Sequence, residues 1–168
     1  MTLYIVALSR DHDRKRFSCS DPDIDIFLKQ KAMQDQDLDL SRSYVLADTS
    51  EPAGILGFFT ITPIHIPQEA IPGDRPKIKR DIPAVLLGQL GVDREHQGNG
   101  LGELLLVDAQ AKAMRTAEIV GIRAVVLDAR NERLAGWNGS HGFIRLGDSL
   151  RIVKRIETIR RELTGYRV

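Results

Sequence analysis

"LGVDREHQGNGLG", Leu90 to Gly102, sets Gly98, Gly100 and Gly102 at alternate positions between an apolar strand-like run and an apolar helical run. Glycine admits left-handed backbone and lets main-chain N–H groups close on a ligand with no Cβ in the way. The start of the following helix adds a partial positive charge. Strand, loop and helix start together describe a cradle for an anion such as phosphate.

Working outward, "AVLLGQLGVD" (Ala84 to Asp93) predicts a strand in which Gly88 and Gly91 mark a bulge or a place where other atoms lie against the backbone. Gly100 to Met114 predicts a helix with Leu101, Leu104, Leu105, Ala109 and the Lys112 stem along one stripe. "IRAVVLDA" (Ile122 to Ala129) reads as a buried strand of the parallel type. "NERLAGWNGSHGF" is a short, glycine-weakened helix leading to Phe143, followed by strands in "FIRL" and "LRIVKRIE" and a tail helix near Thr158 to Leu163.

Toward the amino end, "LYIVAL" (Leu3 to Leu8) reads as a buried strand. "SDPDIDIFLKQKAMQDQ" offers Ser20 or Asp21 as cap, Pro22 in the first turn, and Ile24, Phe27, Leu28 and Ala32 on one helical face. Ser43 to Ala47 and Ile55 to Thr62 are strands joined by a hairpin at "DTSEPAG". Five prolines between Pro63 and Pro83 read as a long loop, too punctuated for regular structure. The order implies an α/β domain of mixed α and β layers, unlike an evenly alternating doubly wound one.

A chain of 168 residues with 42% apolar content suits a single domain, 1–168. Its 24 basic and 23 acidic residues nearly cancel, so any nucleic-acid site is a local patch. The single cysteine, Cys19, excludes an internal disulfide and a cysteine-based zinc cluster and reads as an idle buried thiol. No apolar run is long enough to span a membrane, and the first residues do not read as a signal peptide. A cytoplasmic protein without a membrane partner is expected. His12, His65, His96 and His141 show no ligand spacing, so no metal is expected.

Three nucleotide sites compete for the glycine loop. A Walker loop needs Gly-Lys-Ser/Thr, and Glu103 follows the last glycine, so that reading fails. A dinucleotide fingerprint needs Gly-x-Gly-x-x-Gly and a second βαβ half; Asp128, ending a strand, keeps that option open. A purely structural turn is also open. The third is the acyl-coenzyme A site of the GNAT acetyltransferases, and the loop resembles it: Gln97-Gly98-Asn99-Gly100-Leu101-Gly102 follows Leu90-Gly91-Val92-Asp93, and a later "GF" stands at Gly142-Phe143.

That resemblance implies a GNAT fold: a central, mostly antiparallel sheet with a splayed parallel pair and helices on both faces. It implies acetyl-CoA as substrate, its diphosphate on Gln97, Gly98, Asn99, Gly100, Leu101 and Gly102. The pantetheine arm would lie beside the main chain of Leu90 and Val92, where an N–H would face the acetyl carbonyl. Trp137 would also contact the donor. Arg94 and Lys112 are further phosphate candidates.

"FSCSDPDIDIFLKQKAMQDQDLDLSRSYVL", "GFFTITP" and "ETIRREL" further resemble the GNAT toxins of bacterial toxin–antitoxin modules, with Phe17, Cys19, Phe27, Leu28, Ser41, Arg42 and Val45 at matching places. This implies acetylation of the α-amino group of an aminoacyl-tRNA, a block on translation, a ribbon-helix-helix antitoxin and a homodimer. Arg42, together with Arg75, Lys77, Lys79 and Arg80 in "RPKIKR", would meet tRNA phosphates.

One position departs from the pattern. Aligned on Gly142-Phe143, Trp137 takes the aromatic position and Asn138 stands where these toxins carry the tyrosine that protonates the departing thiolate. Asparagine donates a hydrogen bond but transfers no proton at neutral pH. Asn138 is a weak stabiliser, or His141 or a water replaces it, or the sequence is an inactivated variant one base change from tyrosine; the intact remainder of the site favours the last. Two rival functions stay open: a GNAT acting on a small amine or a protein, and a catalytically dead acyl-CoA-binding module.

Overall fold

A computed structural model describes residues 2–164. The elements run β1 (Leu3–Ala7), α1 (Pro22–Ile26), a π-helical turn (Phe27–Lys31), α2 (Ala32–Asp37), β2 (Arg42–Asp48), β3 (Gly57–Pro67), β4 (Asp81–Val92), α3 (Leu101–Ile119), β5 (Ala124–Asp128), α4 (Glu132–Gly139), β6 (Ile144–Arg145), β7 (Arg151–Arg155) and α5 (Ile156–Thr164). The seven strands are ordered β1-β2-β3-β4-β5-β7-β6. β4 and β5 are parallel, whereas β1/β2, β2/β3, β5/β7 and β6/β7 are antiparallel. This is the mixed α/β architecture with one parallel pair that the resemblance implies. The chain forms two compact units, Met1–Thr62 with Gly88–Ala109, and Pro63–Leu87 with Gln110–Val168.

In the first unit, Asp21 caps α1, its carboxylate accepting from Asp23 N at 3.1 Å, with Pro22 at the first helical position and Asp23 and Asp25 in the first turn. Ile24, Leu28 and Ala32, four residues apart, all reach one core with Leu8, Phe17, Val45 and Phe58. In a pure α-helix each step of four advances about 40° around the axis. The wider π turn takes up that advance and keeps the three side chains aligned. Gln36 then clips the helix to the sheet: its amide donates to Leu8 O at 2.8 Å and accepts from Ser43 N at 3.1 Å.

Three expectations change. β1 is an edge strand rather than a buried one: it pairs only with β2, and Leu3, Val6 and Ala7 are exposed. The proline stretch is not all loop, because β3 runs through Pro63 and Pro67 and β4 begins at Asp81. Proline's fixed φ fits extended backbone, and "PIHIP" alternates with period two, Ile66 buried and the prolines exposed. The inward stripe of α3 is Leu105, Leu106, Ala109 and Ala113, whereas Leu104 is exposed.

In the second unit, Ile66, Ile71, Ile82, Ala84, Ala124, Val126 and Val153 form the core. The ribbon between β3 and β4 is fixed from within by Asp74, a residue 4% exposed whose carboxylate accepts from Arg123 Nε at 2.7 Å, Arg123 Nη2 at 3.0 Å and Gln68 Nε2 at 3.2 Å. Burial opposes its ionisation, but the Arg123 and Gln68 hydrogen bonds and the charge of Arg155 outweigh that and hold it below the usual carboxylate range.

Candidate active site

The parallel ladder stops at Leu87↔Leu127, so Gly88 to Val92 continue β4 beyond its register with β5. Against the end of this strand, Gly57 comes so close that a Cβ on it would stand 3.0 Å from Gly91 O and 2.8 Å from Leu105 Cδ1. A Cβ on Gly91 would stand 3.2 Å from Cys19 and Ile24. The expected close approach at Gly91 is therefore real.

Asp93 closes the strand. Its carboxylate accepts from Glu95 N at 3.1 Å and Ser18 N at 3.3 Å, nucleating a 3-10 turn over Arg94–His96. Gln97 then anchors the loop: its side-chain amide donates to Val92 O at 2.9 Å and Cys19 O at 3.1 Å. Both N–H groups of that amide are thereby used.

Gly98 and Gly100 have φ of +85° and +77°, the left-handed region, and a Cβ on either would point into open space with nothing within 4 Å. Asn99 lies between them, exposed, its amide donating to His96 O at 3.4 Å. Leu101 and Gly102 open α3, whose first N–H groups have no partner within the helix. Left-handed glycines before a helix start turn successive N–H groups inward to form an anion-binding nest. The residues present therefore fit a diphosphate held by main chain. Leu90, Val92 and Gln97 to Gly102 lie together in the first unit.

Arg42 is in the same unit but faces local partners: its guanidinium donates to Asp39 Oδ1 at 2.6 Å and Gln36 O at 3.0 Å. It pairs with Ile61, four residues along β3 from Gly57, which sets it about 13 Å along the strand direction from Gly91. Burial pushes the Cys19 thiol up to about 12, so it is no nucleophile at neutral pH.

In the second unit, Arg75, Lys77, Lys79 and Arg80 are all exposed along the ribbon. α4 carries Trp137 and position 138. The Trp137 ring is half-buried and meets the His141 ring edge-on at 5.1 Å. Two groups here were invisible to sequence reasoning. Asp74 sat in what read as a solvated loop, and Lys154 occupied an alternating strand where a charge reads as outward-facing. Among the described residues no three His, Cys, Asp or Glu side chains cluster to hold a metal, and no helix is long and apolar enough to cross a membrane.

No family model matches the chain. Individual proteins do. A tRNA-acetylating toxin of Mycobacterium tuberculosis is 30% identical over 126 residues, 74% of each protein. The AtaT toxin complexed with acetyl-methionyl-tRNA is superimposable at a TM-score of 0.88, 26% identical, over 96% of this chain and 99% of that one. A tyrosine-to-phenylalanine mutant of AtaT, bound to acetyl-CoA and the C-terminus of its antitoxin AtaR, matches at 0.83 with 26% identity over 98% and 99%. With these relatives and this loop, the chain belongs to the tRNA-acetylating GNAT toxins of bacterial toxin–antitoxin modules.

Proposed function

We propose that this chain is an acetyl-CoA-dependent N-acetyltransferase, one domain over residues 1–168, that acetylates the α-amino group of aminoacyl-tRNA and so blocks translation. The observation that carries this is the nest at Gln97 to Gly102, with left-handed Gly98 and Gly100, continuous with the tail of β4. Acetyl-CoA, when bound, supplies an acyl group activated as a thioester. The diphosphate rests on the main chain from Gln97 to Gly102, and Leu90 and Val92 offer main-chain groups to the pantetheine arm and the acetyl carbonyl.

The acceptor needs little help from a base. An α-amino group titrates near 8 in a peptide, and an adjacent ester lowers it further, so a neutral fraction exists at pH 7. Positioning then supplies much of the rate. Arg75, Lys77, Lys79 and Arg80 meet tRNA phosphates, with Arg42 joining them after releasing Asp39. A ribbon-helix-helix antitoxin silences the enzyme, which works as a homodimer in the cytoplasm, where its substrate is.

Asn138 stands where the resemblance expects a tyrosine, and α4 carries it beside Trp137. We read it as an inactivating replacement in an otherwise intact toxin. Asn138→Tyr in the full chain, given labelled acetyl-CoA and charged tRNA, is expected to raise turnover at least tenfold and to arrest cell-free translation. Equal turnover before and after the change would refute the inactivation. Turnover on small amines or proteins but not on charged tRNA would overturn the substrate.

A further inference from the structure

We propose that Lys154 is a positioning residue: its ammonium latches the carboxyl-terminal end of α4 and so sets Trp137 and position 138, the pair that the acetyltransferase reading above places in the reaction. Lys154 lies on β7 and is 2% exposed. Its Nζ donates to Gln110 Oε1 at 2.8 Å, His141 O at 2.7 Å and Glu162 Oε2 at 2.6 Å, which uses all three of its N–H groups. It also lies 5.7 Å from the centre of the Phe143 ring. One cation therefore joins α3, the turn after α4, and α5.

Stability alone leaves such a residue unexplained. An apolar side chain of similar size fills a core position without the desolvation of a buried ammonium. What the ammonium adds is direction. The carbonyls at the end of a helix carry partial negative charge, and α4 ends just before His141, with Ser140 N reaching Gly136 O at 3.3 Å and Trp137 O at 3.2 Å. The next residue, Gly142, has φ +88°, and a Cβ there would stand 3.3 Å from both Lys154 Cε and Glu162 Oε1. The turn is thus wrapped tightly over Nζ, and the same residue whose carbonyl it holds, His141, sets its ring against Trp137.

Trp137 is the chain's single tryptophan, so its fluorescence reads the latch directly. In the full chain, Lys154→Met is expected to shift Trp137 emission to longer wavelength and at least double its quenching by acrylamide, with far-ultraviolet circular dichroism unchanged. In the Asn138→Tyr background the same change should lower kcat at least tenfold and raise KM for acetyl-CoA severalfold, because Trp137 also meets the donor. Folded protein with unaltered emission, quenching and kcat would overturn the proposal. If Lys154→Met does not fold, Lys154→Gln decides by the same readouts, since its shorter neutral amide removes the charge and the reach to His141 O while keeping a polar group in the same space. Should Asn138→Tyr transfer no acetyl group, the acetyltransferase reading fails by itself, and Trp137 emission still decides the latch.

Discussion

The glycine loop and the proline ribbon are both irregular segments between a strand and the next element, yet they are held in opposite ways. The loop is clipped by a neutral amide, Gln97 on Val92 O and Cys19 O, and its glycines face open space. The ribbon is fixed from beneath by a buried carboxylate, Asp74 on Arg123 and Gln68, and carries its cations outward. Gln97's neutral amide holds the glycine turn without adding a charge beside the cradle. Gln68 stitches the same ribbon, donating to Pro76 O at 2.7 Å and accepting from Ile78 N at 2.6 Å, so the buried ion pair works beside a neutral amide.

The largest effect should come from the ribbon. Asp74→Ala removes the carboxylate from Arg123 and Gln68, which keep Arg75 O and Pro76 O as acceptors, and is expected to cost about 3 kcal/mol, the low end for a broken buried pair because Arg123 also keeps some exposure. For a chain of this size that lowers Tm by roughly 6–12 °C in a thermal melt. An unchanged Tm would mean that the ion pair does not hold the ribbon.

The loop should respond in binding rather than in stability. Gly98→Ala forces a side chain into left-handed backbone, a strain of about 1–2 kcal/mol that turns the neighbouring N–H groups away from the ligand-binding arrangement when the loop relaxes. Acetyl-CoA affinity by calorimetry should fall about tenfold, while Tm moves little because an exposed loop relaxes. Gln97→Ala removes two hydrogen bonds worth about 1 kcal/mol each, and the expected result is a severalfold weaker Kd with a small loss of stability.

The smallest effect separates the two anchors by pH. Asp74 ionises more readily folded than unfolded, so its contribution is complete above the unfolded value near 3.9 and fades as pH falls through the lower folded value. Denaturant melts should therefore show stability falling below about pH 4 in the present chain. In Asp74→Asn that part of the slope is absent.

Much of this was legible in the sequence because it rests on local rules. Alternate glycines before an apolar helix predicted the nest, and Asp21-Pro22 predicted the start of α1. The close approach at Gly91 followed from a glycine inside a strand. What stayed hidden depends on residues far apart in the chain. Asp74 and Arg123 are 49 positions apart, and Lys154 and Gln110 are 44. Nothing local distinguishes a buried, partnered charge from a solvated one. The proline ribbon hides for a different reason: five prolines read as loop, and the strand shows only in the period-two alternation of "PIHIP". Likewise, β1's exposure follows from its place at the sheet edge, which no six-residue run encodes.

Main-chain capture of the donor's diphosphate between Gln97 and Gly102 is the property on which the proposed activity depends. Titration of acetyl-CoA into the full chain and into Gly98→Ala measures it directly. We expect one site per chain whose affinity drops about tenfold in the variant at matched Tm. Equal affinity in the two proteins, or no heat of binding in either, would contradict it.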